Sequence, residues 1–402
     1  MTSDPLSVTV AISAASYQKT LAESLHSAGI LRQVIDLVPY LEIREPNGEG
    51  RLERVKHFPT YTFSKRIVWG IWRRLPAMVR PLPPVAPTVW LADRLVANCL
   101  APSKIFHGCT ALCLASVRAA KQRGAITLVE HAASHPRDWK NVEMEECRRF
   151  GVKSFEGSGI QSERLLDRME KEFEECDRIV VPSGVALQSF TQHGHGKKAV
   201  VVPTGVDAEF FSPGPPAPPP QIFRVCYVGR VELAKGLGYL LQAWKRLGLP
   251  RAELVLVGEV KPQVKMMLKD YPDCGVRLAG ILPPREVARC YRESNLFVLP
   301  SPIEGLAQVL LEAMASGLAM VATDRTGASD CMTDEKEGRI VPARDVDALA
   351  EAILWCYHHT EETRAMGRAA RARIESQFTL DHYNQRAIAL YRSLAGAIPG
   401  GP

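Results

Sequence analysis

Short apolar runs alternate along this chain with longer stretches in which apolar residues recur every three or four positions. Val8–Ile12, Ile126–Val129, Ile179–Val181 and Ala199–Val202 hold few polar residues. Runs this short and this apolar read as strands buried on both faces of a parallel sheet. Val225–Val228, Leu254–Val257, Val276–Leu278, Leu296–Leu299 and Met320–Ala322 repeat the pattern farther along. Between them lie amphipathic segments such as Leu240–Leu247, whose apolar positions fall on one helix face. Strand–helix alternation from end to end predicts the α/β class, with helices packed on parallel sheets.

The alternation is interrupted by a proline-dense segment from Ser212 to Pro220. Proline fixes φ and removes a hydrogen-bond donor, so this stretch reads as an extended connector between two domains. The expected division is residues 1–212, a linker at 213–221, and a second domain at 222–380. From Leu349 to about Leu394 the pattern is helical, with a break near Phe378–Asp381. Asp345-Val346-Asp347 precedes the first of these helices. An aspartate there fits an N-cap, where it satisfies free backbone N–H groups, better than a metal motif.

Composition narrows the possibilities. At 402 residues, with 46% hydrophobic and 23% charged residues, the chain has room for two ordinary globular cores. A formal charge of +6 suits a phosphate-bearing ligand and is too small to indicate nucleic acid. The ten cysteines form no Cys-x-x-Cys pair, which argues for reduced thiols rather than zinc or a disulfide framework. No metal site is expected. The start, Met1–Pro5, has no basic-then-apolar leader pattern, and no run of about 18 apolar residues occurs, so a cytoplasmic location is the expectation. Tyr61–Arg80 interleaves Trp69, Trp72 and Ile71 with Lys65, Arg66, Arg73 and Arg74. It reads either as a helix packing its tryptophans into the core or as one lying on the anionic inner face of a membrane.

Three places could carry chemistry. Glu304 follows the strand Leu296–Leu299, and Glu312 comes eight residues later on an apolar segment that reads as a helix opening at Gly305. Eight helical steps separate the two carboxylates by about 12 Å. That is too far for a glycosidase acid/base pair, at roughly 5–9.5 Å, and suits the two ends of an elongated ligand. Gly229-Arg230 ends another strand, and Lys235 follows before a helix; a glycine, two cations and a helix N-terminus together fit a diphosphate. Glu130-His131 ends the strand Ile126–Val129, at the edge where open parallel sheets bind ligands, with His135 a helical turn beyond.

Taken together, these residues resemble the retaining glycosyltransferases of family 4, which share the GT-B architecture. Val228-Gly229-Arg230 with Lys235-Gly236, Glu304-Gly305 with Leu311–Gly317, and Val202–Asp207 carry the likeness in the family's order. Ala307 stands where glycine is usual and Ala319 where proline is usual, and the loop Ser13–Thr20 lacks the common Gly-Gly pair. The resemblance implies two Rossmann-like domains facing a cleft, with a C-terminal helix, about 381–402, crossing back to the first. It implies a UDP-, GDP- or ADP-sugar donor on the second domain and a hydroxyl acceptor on the first, with no cofactor required. Glu304 would meet the donor sugar, Glu312 the ribose, Ile281 and Leu282 the base, and His131 would reach across from the first domain. Arg230 and Lys235, beside Gly229, would grip the diphosphate, aided by backbone N–H groups of Gly305 and Leu306. A nucleotide-sugar epimerase of the same fold, or a non-catalytic sugar-nucleotide binder, are the alternatives that product analysis separates.

Overall fold

The computed structural model describes residues 6–12, 16–36, 55–57, 85–152, 162–214, 222–271 and 274–396. The basic segment Tyr61–Arg80, linker residues 215–221, Ser13–Ala15 of the first loop, and Met1–Pro5 lie outside them.

Two parallel sheets form the molecule. The first takes the order β3-β2-β1-β4-β5-β6-β7, from β1 (Val8–Ile12), β2 (Leu31–Asp36), β3 (Val55–His57), β4 (Ile105–Cys109), β5 (Ile126–Glu130), β6 (Arg178–Val181) and β7 (Ala199–Val201). The second takes the order β10-β9-β8-β11-β12-β13, from β8 (Phe223–Val228), β9 (Ala252–Val257), β10 (Val276–Gly280), β11 (Leu296–Leu299), β12 (Ala319–Thr323) and β13 (Gly338–Val341). Each runs outward in both directions from a central pair, β1/β4 and β8/β11, as doubly wound Rossmann sheets do. The nine apolar runs are all strands. Those the pattern did not reveal, β2, β3, β4 and β13, mix polar residues into their runs; Gln33 and His107, for example, are buried and hydrogen-bonded.

Each sheet has its own apolar core. Val225, Leu254, Phe297 and Val321 are fully buried in the second, under helix Leu237–Leu247 and helix Val346–His358. Asp345 caps the latter as expected, its Oδ1 accepting from Ala348 N at 2.9 Å. The chain then returns. Val206 N donates to Phe378 O at 2.9 Å, so the outward and homeward crossings run side by side. Helix Leu380–Gly396 packs Tyr383, Ala387 and Tyr391 among Val8, Val10, Leu21 and Leu25 of the first domain. This is the GT-B fold, with the last helix crossing back. Among the described residues no helix is long and apolar enough to span a membrane.

Candidate active site

A closed loop forms at the carboxyl end of β8. Tyr227 hydroxyl donates to Arg230 O at 2.7 Å, holding the residues after the strand in a tight bend. A single turn, Leu233–Lys235, follows and ends at Gly236, whose φ is 75°. A Cβ there would lie 2.0 Å from Pro300 O, so only glycine lets this turn press against the end of β11. The result is that Lys235 sits directly across from the segment leaving β11.

That segment, Pro300–Leu306, carries Glu304. Lys235 Nζ pairs with Glu304 Oε1, and Ser301 Oγ lies 3.1 Å from the same oxygen. The first domain meets this segment face on. Ser134 Oγ donates to Glu304 O, and Ser183 Oγ to Gly305 O at 2.9 Å. A Cβ on Gly305 would stand 2.7 Å from Ala132 O and 2.7 Å from Ala133 Cα, so this glycine sets how closely the domains approach.

Between the domains lies a cavity of about 310 Å³ whose lining includes His131, Trp139, Arg230, Lys235 and Glu304. It opens at the β8/β11 switch point, where doubly wound sheets bind ligands. Lys235 Nζ rests over the Trp139 ring at 4.3 Å, a cation–π contact that fixes the ammonium from the first-domain side. Arg230 is 45% exposed at its side chain and pairs with Glu232 at 3.0 Å. Three cations (Lys140, Arg230, Lys235) face three carboxylates (Glu143, Glu232, Glu304) around this space. Its charge is therefore balanced without a ligand, and the cations are held in place by acids.

His131 reaches the cavity while its ring packs edge-on against Phe173 and Phe190. Burial pushes its pKa down to about 4, so the ring is neutral near pH 7. Its Nε2 lies 3.1 Å from Ser134 O, which can only accept; the ring proton is therefore on Nε2, and Nδ1 remains the acceptor.

Beyond Glu304 the structure departs from expectation in where the helix begins. The helix carrying Glu312 is Gln308–Ala315 and opens three residues later than Gly305. Gly305 and Leu306 thus precede its first turn, and half of the eight-step spacing of the two glutamates is loop. The reason is the seam with the first domain, which uses the Glu304 and Gly305 carbonyls for Ser134 and Ser183 instead of helix bonds. Ala307, at the N-cap, has φ −67° and needs no glycine. Glu312 lies outside the lining of the cavity and accepts from Tyr291 hydroxyl at 3.2 Å, with burial raising its pKa to about 7. Ile281 and Leu282 also lie outside it; Ile281 is 78% exposed and Leu282 packs on the second core. Trp139, Ser134 and Glu143 were not foreseen. They sit on or beside helix Pro136–Arg149, and only the pairing of domains gives them a role.

Residues 222–359 match the protein-family model described as glycosyl transferases group 1. An amylovoran biosynthesis glycosyltransferase of Erwinia amylovora is 27% identical over 259 residues, covering 59% of this chain and 62% of that protein. The chain thus matches a little under two thirds of the length of such relatives. A sucrose-phosphate synthase from Thermosynechococcus elongatus superposes with a TM-score of 0.72 at 20% identity, covering 98% of this chain and 100% of that one. The Anabaena protein HepE, solved in complex with UDP-glucose, gives 0.64 at 15% identity over 97% of this chain and 100% of that one.

Proposed function

We propose, for a chain that belongs to the glycosyl transferases group 1 family through its second domain, that it moves a sugar from a nucleotide-diphosphate sugar to a hydroxyl acceptor with retention at the anomeric carbon. The observation that carries this reading is the convergence of Arg230, Lys235, Glu304 and His131 on one cavity at the switch point of the second sheet. The donor diphosphate lies against Lys235 and Arg230. As the bond from the anomeric carbon to the diphosphate breaks, negative charge grows on the departing oxygens, and the two cations stabilise it in a site shielded by Trp139. Lys235 has three donors, so it keeps its bond to Glu304 while engaging phosphate. Glu304 and the neutral His131 hold the sugar hydroxyls as acceptors. The incoming hydroxyl attacks from the face the leaving group vacates and passes its proton to a diphosphate oxygen. With two fixed cations on the leaving group, the chemical step needs no metal.

The structure of HepE in complex with UDP-glucose makes UDP-hexoses the first donors to test. The full-length protein is incubated with UDP-, GDP- and ADP-glucose and a panel of hydroxyl acceptors. Nucleoside diphosphate release is followed, and the product's anomeric configuration is read by NMR. One base should support turnover and give the α-linked product, with less than a twofold change on adding Mg²⁺ or Mn²⁺. An epimerised nucleotide sugar with no acceptor product would establish the epimerase instead. Donor binding without consumption would leave only a sugar-nucleotide binder.

A further inference from the structure

Beneath the loop that carries His131, three ligand-type side chains from three elements converge. His135 precedes helix Pro136–Arg149, Glu170 lies on helix Glu163–Glu175, and His195 stands in the turn between helix Gly184–Gln192 and β7. His195 Nε2 is 2.6 Å from Glu170 Oε1, and His135 Nε2 is 3.3 Å from Glu170 Oε2. One ligand atom from each residue can be chosen so that all lie within 4.8 Å of one another. His135 is only 1% exposed, yet its Nε2 has no hydrogen-bond partner. A buried ring nitrogen aimed at a carboxylate and left unsatisfied is costly, and ligation would relieve it.

We propose that His135, Glu170 and His195 form a binding site for a divalent transition-metal ion of the zinc type, structural in role and separate from sugar transfer. Two imidazoles and a carboxylate are a donor set that zinc accepts, at about 2.0–2.2 Å from each atom, which small side-chain rotations supply. Glu170 is 24% exposed at its side chain, so solvent can complete a tetrahedron. His193 is not the fourth ligand. Its Nε2 is held by Asp138 Oδ1 at 2.8 Å and its ring stacks on His135 at 3.8 Å. Arg137 Nε, 3.9 Å from Glu170 Oε2, is the competing cation. Ligation through Nε2 puts the His135 proton on Nδ1, giving up a long 3.4 Å contact from Arg137 N.

The consequence reaches the cleft. Phe173 and Phe190, whose rings touch His135, also touch His131. Ser134, next to His135, holds the Glu304 carbonyl. An ion at His135 would therefore tie the first-domain wall of the cavity to the helix bearing Glu170 and the turn bearing His195.

The test uses tag-free, full-length protein stripped with EDTA, desalted, and titrated with Zn²⁺ by calorimetry and with Co²⁺ by visible absorption. Wild type should bind one equivalent at micromolar protein, with a tetrahedral Co²⁺ spectrum free of thiolate charge-transfer bands and a raised Tm. His195→Ala and Glu170→Gln should each weaken binding at least tenfold, while His193→Ala should not. Glu170→Gln keeps a hydrogen bond to His195, so it carries the test if His195→Ala fails to fold. Failure of wild type to take up either ion, or equal uptake by wild type and Glu170→Gln, would overturn the assignment.

Discussion

At the scale of single residues, the pair Lys235–Glu304 is the centre of the candidate site, and it is a nearly buried ion pair with side-chain exposures of 14% and 11%. Removing one member leaves the other charge with too few partners, which costs on the order of 3 kcal/mol. Lys235→Ala should therefore lose both stability and turnover. Lys235→Ala combined with Glu304→Gln should regain most of the stability, read as the denaturation midpoint, and none of the turnover. Arg230 is half exposed, so Arg230→Ala should keep the wild-type melting curve and lower turnover by about 10²–10³-fold, as loss of one transition-state donor does. Full activity in Arg230→Ala would defeat its role at the diphosphate. Arg230, Lys235 and Glu304, which the structure brings to one cavity, stand out in the sequence because a charge at a strand's end is a local fact. Trp139 does not, because its meaning depends on an ammonium nearly a hundred positions away.

At the scale of elements, the last helix shows what a buried carboxylate does to docking. Glu130, at the end of β5, accepts from Gln18 at 2.8 Å and from Tyr383 hydroxyl at 3.1 Å, with His107 at 3.9 Å. Burial raises its pKa from 4.5 to about 7. The folded protein thus keeps a proton that the unfolded chain releases, so the stability linked to this group is present at low pH and is lost as pH rises from about 4.5 to about 7. Glu130→Gln cannot titrate. Relative to wild type it should gain stability across that window by about 1 kcal/mol per pH unit, read as urea midpoints at pH 5, 6 and 7. A constant difference over the series would contradict the burial argument. The sequence marked the break near Phe378–Asp381 and the helix after it, but a helical pattern does not say which surface it covers. Tyr383 and Tyr391 lie on one face of that helix, and the partners Glu130 and His107 are supplied by β5 and β4.

At the scale of the whole molecule, the two sheets meet along a seam where backbone carbonyls of one domain receive side chains of the other. Arg344 of the second domain donates to Glu146 at 2.7 Å and Glu145 at 2.8 Å, and Tyr239 hydroxyl to Glu146 at 2.7 Å. Gly305 packs directly on the first-domain backbone at Ala132 and Ala133. Gly305→Ala should push Ala132 and Ala133 away, costing about 1–3 kcal/mol as overpacking does, and should open the cleft. A larger radius of gyration by X-ray scattering and weaker donor binding are the expected outcomes. Unchanged scattering would mean that the seam yields elsewhere.

Strand–helix alternation, the two-domain division and the charged residues at strand ends follow from the amino-acid sequence, because each is set by neighbours within a dozen positions. Side-chain alternation and turn chemistry act at that range. The placement of Glu312 and of Ile281 outside the cavity, the late start of the helix after Gly305, and the gathering of His135, Glu170 and His195 were decided only by tertiary structure. Those features depend on which surfaces press together, and packing joins residues that no local pattern relates.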